Sequence, residues 1–254
     1  HGITPEIDET LTPIHHPPSF SSHTMRIWTF PRVGELSIAE IRKLPRGRYS
    51  YTNYLEDYGP RTPPVKVQVA VEIGDGEIVV DFAGSSPQVP AGINSYISYT
   101  RAYVYYVLKC ILKPDVPQNE GGIRPITVTA PEGSYFNPRY GAGCGARAMN
   151  SMRIAESVLA ALAPVSQRAV APYGGWSHFC FGGVDPGTGR RVVGTEILAG
   201  GHGARLYKDG IDFLVGPFNV NNLPAESWEA AFPLRVEKLH GGQGLLRAIA
   251  RLGG

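Results

Sequence analysis

The 254 residues carry 24 Lys and Arg against 22 Asp and Glu, a formal net charge of +2, and 43% of them are hydrophobic. The basic residues are dispersed, with no patch or stripe of the kind a nucleic-acid surface needs, and no window approaches the roughly 18 uninterrupted apolar residues of a spanning helix. A chain of this size buries roughly 70–75% of its unfolded surface, which suits one generous domain or two small ones.

The opening HGITPEIDET lacks the basic start and apolar run of a signal peptide. Cys110, Cys144 and Cys180 are too far apart for a disulfide framework or a CxxC metal pair. These features predict a reduced, cytoplasmic location. Residues 1–44 read as an irregular, proline-rich segment followed by a short helix over Ser37–Leu44. Ser37 stands at the N-cap and Glu40 three residues on, and Ile38, Ile41 and Leu44 share one face. Residues 45–254 read as the main α+β domain.

Within it, Val65, Val67, Val69 and Val71 alternate with Lys66, Gln68, Ala70 and Glu72, the period of a half-buried strand. Gly74-Asp75-Gly76 is turn chemistry, and Ile78–Phe82 supplies a return strand, so an antiparallel hairpin is expected. Thr100–Lys113 follows helical spacing through Val104, Leu108 and Ile111, with Thr100 as cap and Pro114 as terminator. The valine face is expected to pack against this helix. A strand at Ile126–Thr129 and a helix near Ala148–Ala163 come next. Beyond residue 172, paired glycines punctuate short apolar runs, which predicts strands and tight loops. The pieces do not make regular βαβ units, so the class is α+β, with antiparallel or mixed sheets, packed helices and glycine-rich loops.

Candidate sites divide between chemistry and simple turns. AGGHGARLYKDG at 199–210 suits an anion, because glycines let backbone N–H groups converge beside Arg205 and Lys208. It is neither GxxxxGK[ST] nor GxGxxG, and a structural turn is the competing reading. His202 with Asp209 or Asp212 allows an acid–base pair. Asn219, Asn221 and Asn222 offer amide donors and acceptors without net charge, or else a loop satisfied by its own Asx turns. The proposed arrangement brings His202 and Arg205 close to Asn219, Asn221 and Asn222 as one polar pocket or interface. Cys144 as a nucleophile would need a base within reach. Cys110, in the apolar helix, reads as a small buried side chain. No catalytic residue is assigned. The histidines do not gather into a metal signature, and no metal site is identified.

Several stretches together resemble the B-type component of ATP-dependent hydantoinases, a group that includes part of 5-oxoprolinase and a subunit of acetone and acetophenone carboxylases. They are DFAGSSPQVPAGIN at 81–94, TRAYVYYVLKCILKPDVPQNEGGIRPITV at 100–128, APEGSYFNP at 130–138, FGG at 181–183, GGHGAR at 200–205 and FPLRVE at 232–237. Their order spans roughly residues 45–240, the C-terminal part of a hydantoinase B. The resemblance implies a B-type subunit or fragment of an ATP-dependent amidohydrolase that opens a hydantoin or 5-oxoproline ring. It implies ATP and Mg handled by an A-type partner subunit, and a small-molecule amide or ketone as substrate. A subunit of an ATP-dependent ketone carboxylase and a non-catalytic assembly subunit are the alternatives. The family's N-terminal Asp-Pro-Tyr and His/Asp-rich stretches have no counterpart before residue 45. Where the family carries an Asn-Val-Glu-Thr run, this chain reads GAGCGARAMNSMR at 141–153.

Overall fold

The valine alternation is the spine of the molecule. The computed structural model describes residues 30–56, 58–112, 114–167, 176–204, 208–212, 214, 223–242 and 245–252. In it the valines lie on β2 (Val65–Ile73), where Val65, Val67, Val69, Val71 and Ile73 are all buried. Gly76, at φ 85°, turns the chain where an added Cβ would press Ile38 at 2.8 Å. Only glycine takes that conformation and that space without strain. β3 (Ile78–Asp81) then returns antiparallel, with Ile78 opposite Ile73 and Asp81 opposite Ala70.

Two further strands, β1 (Gly47–Leu55) and β4 (Ile126–Thr129), complete this sheet in the order β1-β2-β3-β4. β1 (Gly47–Leu55) pairs antiparallel with β2 along its whole length and has no forecast from sequence. Its tyrosines fall on both faces (Tyr49 and Tyr51 on one, Tyr54 on the other), which erases the period-two contrast that reveals a strand. β4 (Ile126–Thr129) lies parallel to β3, from Ile78 opposite Ile126 to Asp81 opposite Thr129. The sheet is therefore mixed. A parallel neighbour needs a long crossover, here made by α2 (Ile97–Leu112) and the short α3 (Glu120–Ile123).

The valine face meets a different helix from the one expected. α4 (Ala148–Leu162) lies across β1 and β2, while α2 packs beside α4 and reaches β4. From Asn150 to Leu162 only Arg153 and Ala160 of α4 escape burial. A helix covered on nearly every side belongs inside a core, and α4 brings Ile154, Val158 and Leu162 to the same cluster as Leu108 and the valines. The opposite sheet face is polar: Thr52 bonds Gln68 at 2.8 Å and Thr129 bonds Asp81 at 2.9 Å.

The first helix also starts earlier than its sequence signals. α1 runs Phe30–Ile41, so Ser37 is interior and not a cap. Pro31 falls in the first turn, where its missing N–H breaks no helical bond. α1 crosses α3 with almost no gap. A Cβ on Gly121 would stand 1.8 Å from the Phe30 carbonyl oxygen. Thr100 is likewise no cap, because α2 begins at Ile97; its hydroxyl donates to the Phe136 carbonyl at 3.1 Å and meets Ser95 Oγ at 3.0 Å. Cys110 is exposed on α2, not buried as its apolar neighbours suggested.

Beyond residue 175 the expected strands and tight loops prevail. β5 (Trp176–Val184) and β6 (Arg191–Ala199) form an antiparallel hairpin, as do β7 (Gly201–His202) with β8 (Ile211–Asp212) and β9 (Leu234–Gly242) with β10 (Leu245–Leu252). Among the described residues one helix, α5 (Ala225–Ala231), interrupts them and packs on β9. A second, aromatic cluster forms here: Phe179 stacks on Trp228 at 5.5 Å, and Phe232 meets Phe181 edge-on at 4.9 Å. Phe181 lies over Gly194 across the hairpin, where a Cβ would come within 2.2 Å of the ring.

Candidate functional site: a polar loop cluster beside parallel strands

β3 and β4 end side by side, and the loops that follow them, residues 82–96 and 130–147, are laced together. Gln88 N donates to Gly133 O at 2.9 Å, Ser95 N to Tyr135 O at 2.9 Å, and Ala146 N to Gly92 O at 2.8 Å. The carboxyl ends of parallel strands are where open sheets place their ligands, and loops fixed on a rigid scaffold are where recognition groups concentrate.

Two buried asparagines hold the loops. Asn94 accepts from Val89 N at 2.9 Å and donates to the carbonyls of Val89, Ala91 and Gly143 at 2.9, 3.0 and 3.0 Å. Its amide thus spans both loops. Asn150, in the first turn of α4, donates to the Ile93 carbonyl and accepts from the Tyr135 hydroxyl at 2.6 Å. Burial pushes the Tyr135 phenol well above its ordinary range, so the hydroxyl stays a neutral donor. Buried amides whose hydrogen bonds are met in this way specify one arrangement, because each broken bond leaves an unsatisfied group.

Arg147 stands at the rim. Its guanidinium carbon lies 5.2 Å from the Tyr96 ring centroid and 5.5 Å from that of Tyr99, within cation–π range. Nη1 donates to the Cys144 carbonyl at 3.3 Å, while Nε is buried without a hydrogen-bond partner. Burial also raises the Tyr99 and Cys144 pKa values, against the opposing pull of Arg147. Cys144 Sγ donates to the Ala142 carbonyl at 3.6 Å. A thiol whose pKa is pushed up lacks the thiolate character a nucleophile needs.

Residues 30–246 match the model of the Hydantoinase B/oxoprolinase family. The chain belongs to that family. It is 32% identical over 237 residues to a protein of Pseudomonas sp. (strain NS671) named as the B-type subunit of a D-/L-hydantoinase, covering 84% of this chain and 40% of that one. It is 34% identical over 153 residues to the 5-oxoprolinase PfmaA of Pestalotiopsis fici, covering 58% of this chain and 12% of the relative. Among solved structures, the ATP-dependent caprolactamase from Pseudomonas jessenii superposes with a TM-score of 0.71 at 27% identity, over 83% of this chain and 38% of that chain. An acetone carboxylase in its nucleotide-free form gives 0.67 at 18% identity, over 81% and 30%, a likeness of fold alone. The chain thus spans less than half the length of each of these relatives.

Two of the stretches that carry the hydantoinase B resemblance fall in the loop cluster. DFAGSSPQVPAGIN runs from Asp81 at the end of β3 to Asn94, and APEGSYFNP is the loop after β4. The departing stretch GAGCGARAMNSMR supplies Cys144, Arg147 and Asn150. Of the residues singled out from sequence, His202 is half-buried on β7, opposite Ile211, with Nδ1 3.2 Å from the Gly203 carbonyl. Arg205, Asn219, Asn221 and Asn222 lie outside the described residues. Asn94, Tyr135, Arg147 and Asn150 received no role from sequence. Asn94 and Tyr135 sat inside matching stretches, which was the available signal; Arg147 and Asn150 become visible only once the loops meet.

The family resemblance brings ATP, Mg and a divalent metal into question. Among the described residues no three His, Cys, Asp or Glu side chains gather as ligands of one ion. The loop cluster offers amide and hydroxyl oxygens beside a guanidinium, and its one carboxylate, Glu132, faces Arg139, a set poor in the negative charge that holds a divalent cation.

Proposed function

We propose that this chain is the B-type portion of an ATP-dependent amidohydrolase that opens a cyclic amide, a hydantoin or 5-oxoproline, together with an A-type subunit that handles ATP and Mg. The observation that carries the reading is the family match over residues 30–246, joined to 32% identity with a B-type hydantoinase component and 27% with a caprolactamase. The names of these relatives share one chemistry, hydrolysis of a ring amide. The acetone carboxylase likeness, at 18% identity, extends to the fold and gives the carboxylation alternative no comparable support.

Amide resonance makes the ring C–N bond a poor target for water. Coupling to the conversion of ATP to ADP and phosphate supplies the driving force for adding water across it. Within this chain, Asn94, Tyr135 and Asn150 fix the loops at the carboxyl ends of β3 and β4, so a ring docked there meets groups already oriented. Preorganised positioning of this kind is a large share of what a site contributes to rate. ATP use and unpaired thiols both accord with a cytoplasmic protein, and Cys110, Cys144 and Cys180 are free. No helix among the described residues is long and apolar enough to cross a membrane.

The test is reconstitution. The full-length protein carrying this chain is co-expressed with its A-type partner and supplied with ATP, Mg and, in separate reactions, hydantoin, 5-oxoproline, or acetone with bicarbonate. ADP and ring-opened product are quantified together. Coupled release of both with a cyclic amide is expected. ADP release only with ketone and bicarbonate would establish the carboxylase instead, and no turnover with any of them would favour an assembly role.

A further inference from the structure

We propose that Arg147 is an anion-binding residue, and that it directs the loop cluster toward ligands bearing a carboxylate or phosphate. The substrate preference it implies rests on the ring-opening reading above; the anion site itself does not.

The argument starts from an uncompensated charge. A guanidinium offers five N–H donors in a fixed fork. Arg147 commits one of them to the Cys144 carbonyl, and its Nε is buried with no partner. No carboxylate among the described residues reaches it. The single acid in the two loops, Glu132, faces Arg139 at 3.8 Å, and Asp81 accepts from Thr129 and from the Ala83 N–H. The neighbouring titratable groups do not neutralise it either, since burial keeps Cys144 and Tyr99 protonated. A half-buried cation left in this state is destabilising unless something completes its shell.

The surroundings select what completes it. Tyr96 and Tyr99 flank the guanidinium and hold it through their ring faces, and Tyr96 remains 39% exposed. An arginine held by aromatic rings keeps its donors free for a planar pair of oxygens, which carboxylate and phosphate present and a neutral amide does not. The residue also lies in the stretch, 141–153, where this chain departs from the family's usual run.

Isothermal titration calorimetry on the full-length protein compares 5-oxoproline, 2-pyrrolidone (the same lactam ring without its carboxylate) and inorganic phosphate. Wild type is expected to bind at least one of the anions, and Arg147→Met to weaken that anion about 10- to 100-fold, the loss of a charge-assisted contact. Arg147→Lys keeps the charge without the fork and should fall between them; thermal unfolding of each variant checks the fold. Should 5-oxoproline exceed 2-pyrrolidone in wild type and lose that margin in Arg147→Met, the source is the substrate carboxylate. If only phosphate responds to the substitution, the source is a phosphate. Absence of anion binding in wild type, or anion affinities that change less than about threefold in both variants, overturns the proposal. Intact anion binding combined with no turnover of any cyclic amide would sink the ring-opening reading alone.

Discussion

Glu156 illustrates how much a single residue depends on its surroundings. It lies on α4 with its side chain only 3% exposed, paired with Arg153 at 2.5 Å and accepting from Asn53 of β1 at 3.4 Å. Burial raises its pKa above the ordinary 4.5, and the pull of Arg153 and Asn53 only partly offsets this. The folded state therefore holds a proton that the unfolded chain releases more readily. Its favourable contribution is complete below the unfolded pKa and is lost as pH rises through the higher folded value. Urea denaturation of wild type and Glu156→Gln from pH 4 to 8 measures this. The two should be close in stability at the acid end, with the Gln variant gaining on wild type as pH rises. A variant that instead falls behind at pH 8 would mean that the ionised pair is a net stabiliser. Nothing in AESVLAAL announces this position, because a lone glutamate on a helix ordinarily marks the solvated face.

At the scale of elements, two contacts decide how the helices are set. Leu108 is fully buried between α2 and the common core, and Leu108→Ala should cost on the order of 2–5 kcal/mol. Equilibrium denaturation reads this directly. Gly121 governs the crossing of α1 over α3. Because its Cβ would lie 1.8 Å from a backbone oxygen, Gly121→Ala cannot be absorbed by a rotamer change and must push the helices apart. A loss of roughly 1–3 kcal/mol is expected, with hydrogen-exchange protection falling first in α1 at Phe30–Ile41. Unchanged protection there would show that the close approach is not needed. Helix and strand periods were legible for β2, β3, α2, β4 and α4, where apolar residues fall cleanly on one side. They failed for β1, whose tyrosines face both ways, and for the start of α1, where Pro31 belongs to a proline-rich segment that reads as irregular although it sits in the first turn of the helix.

For the whole molecule, partial coverage sets the expectation. The chain accounts for 40% of the hydantoinase relative and 38% of the caprolactamase chain it matches, and it has no phosphate-binding loop of the GxxxxGK[ST] or GxGxxG type. The full-length protein is accordingly expected to co-purify with an A-type, ATP-handling subunit and to turn over little or no cyclic amide when that subunit is removed. Native mass spectrometry of the complex, followed by assay of the separated proteins, checks both points. Robust ATP-dependent ring opening by the isolated polypeptide would contradict the division of labour.

Local pattern was enough, by itself, to determine the α+β class, the central hairpin, the two long helices and the family, because periodicity and short motifs are properties of neighbouring residues. Contact between distant segments decided the rest. That α4 rather than α2 covers the valines of β2, that β4 runs parallel to β3, and that Asn94 joins Gly143 all depend on pairings across long stretches of chain. Arg147 shows the same division. Its identity and charge are plain in GAGCGARAMNSMR, but the aromatic flanks and the missing counter-ion that give it a role arise only when residues 96–99 and 144–147 fold against each other. Charge is written in the sequence, whereas its solvation and its partners are set by the tertiary structure.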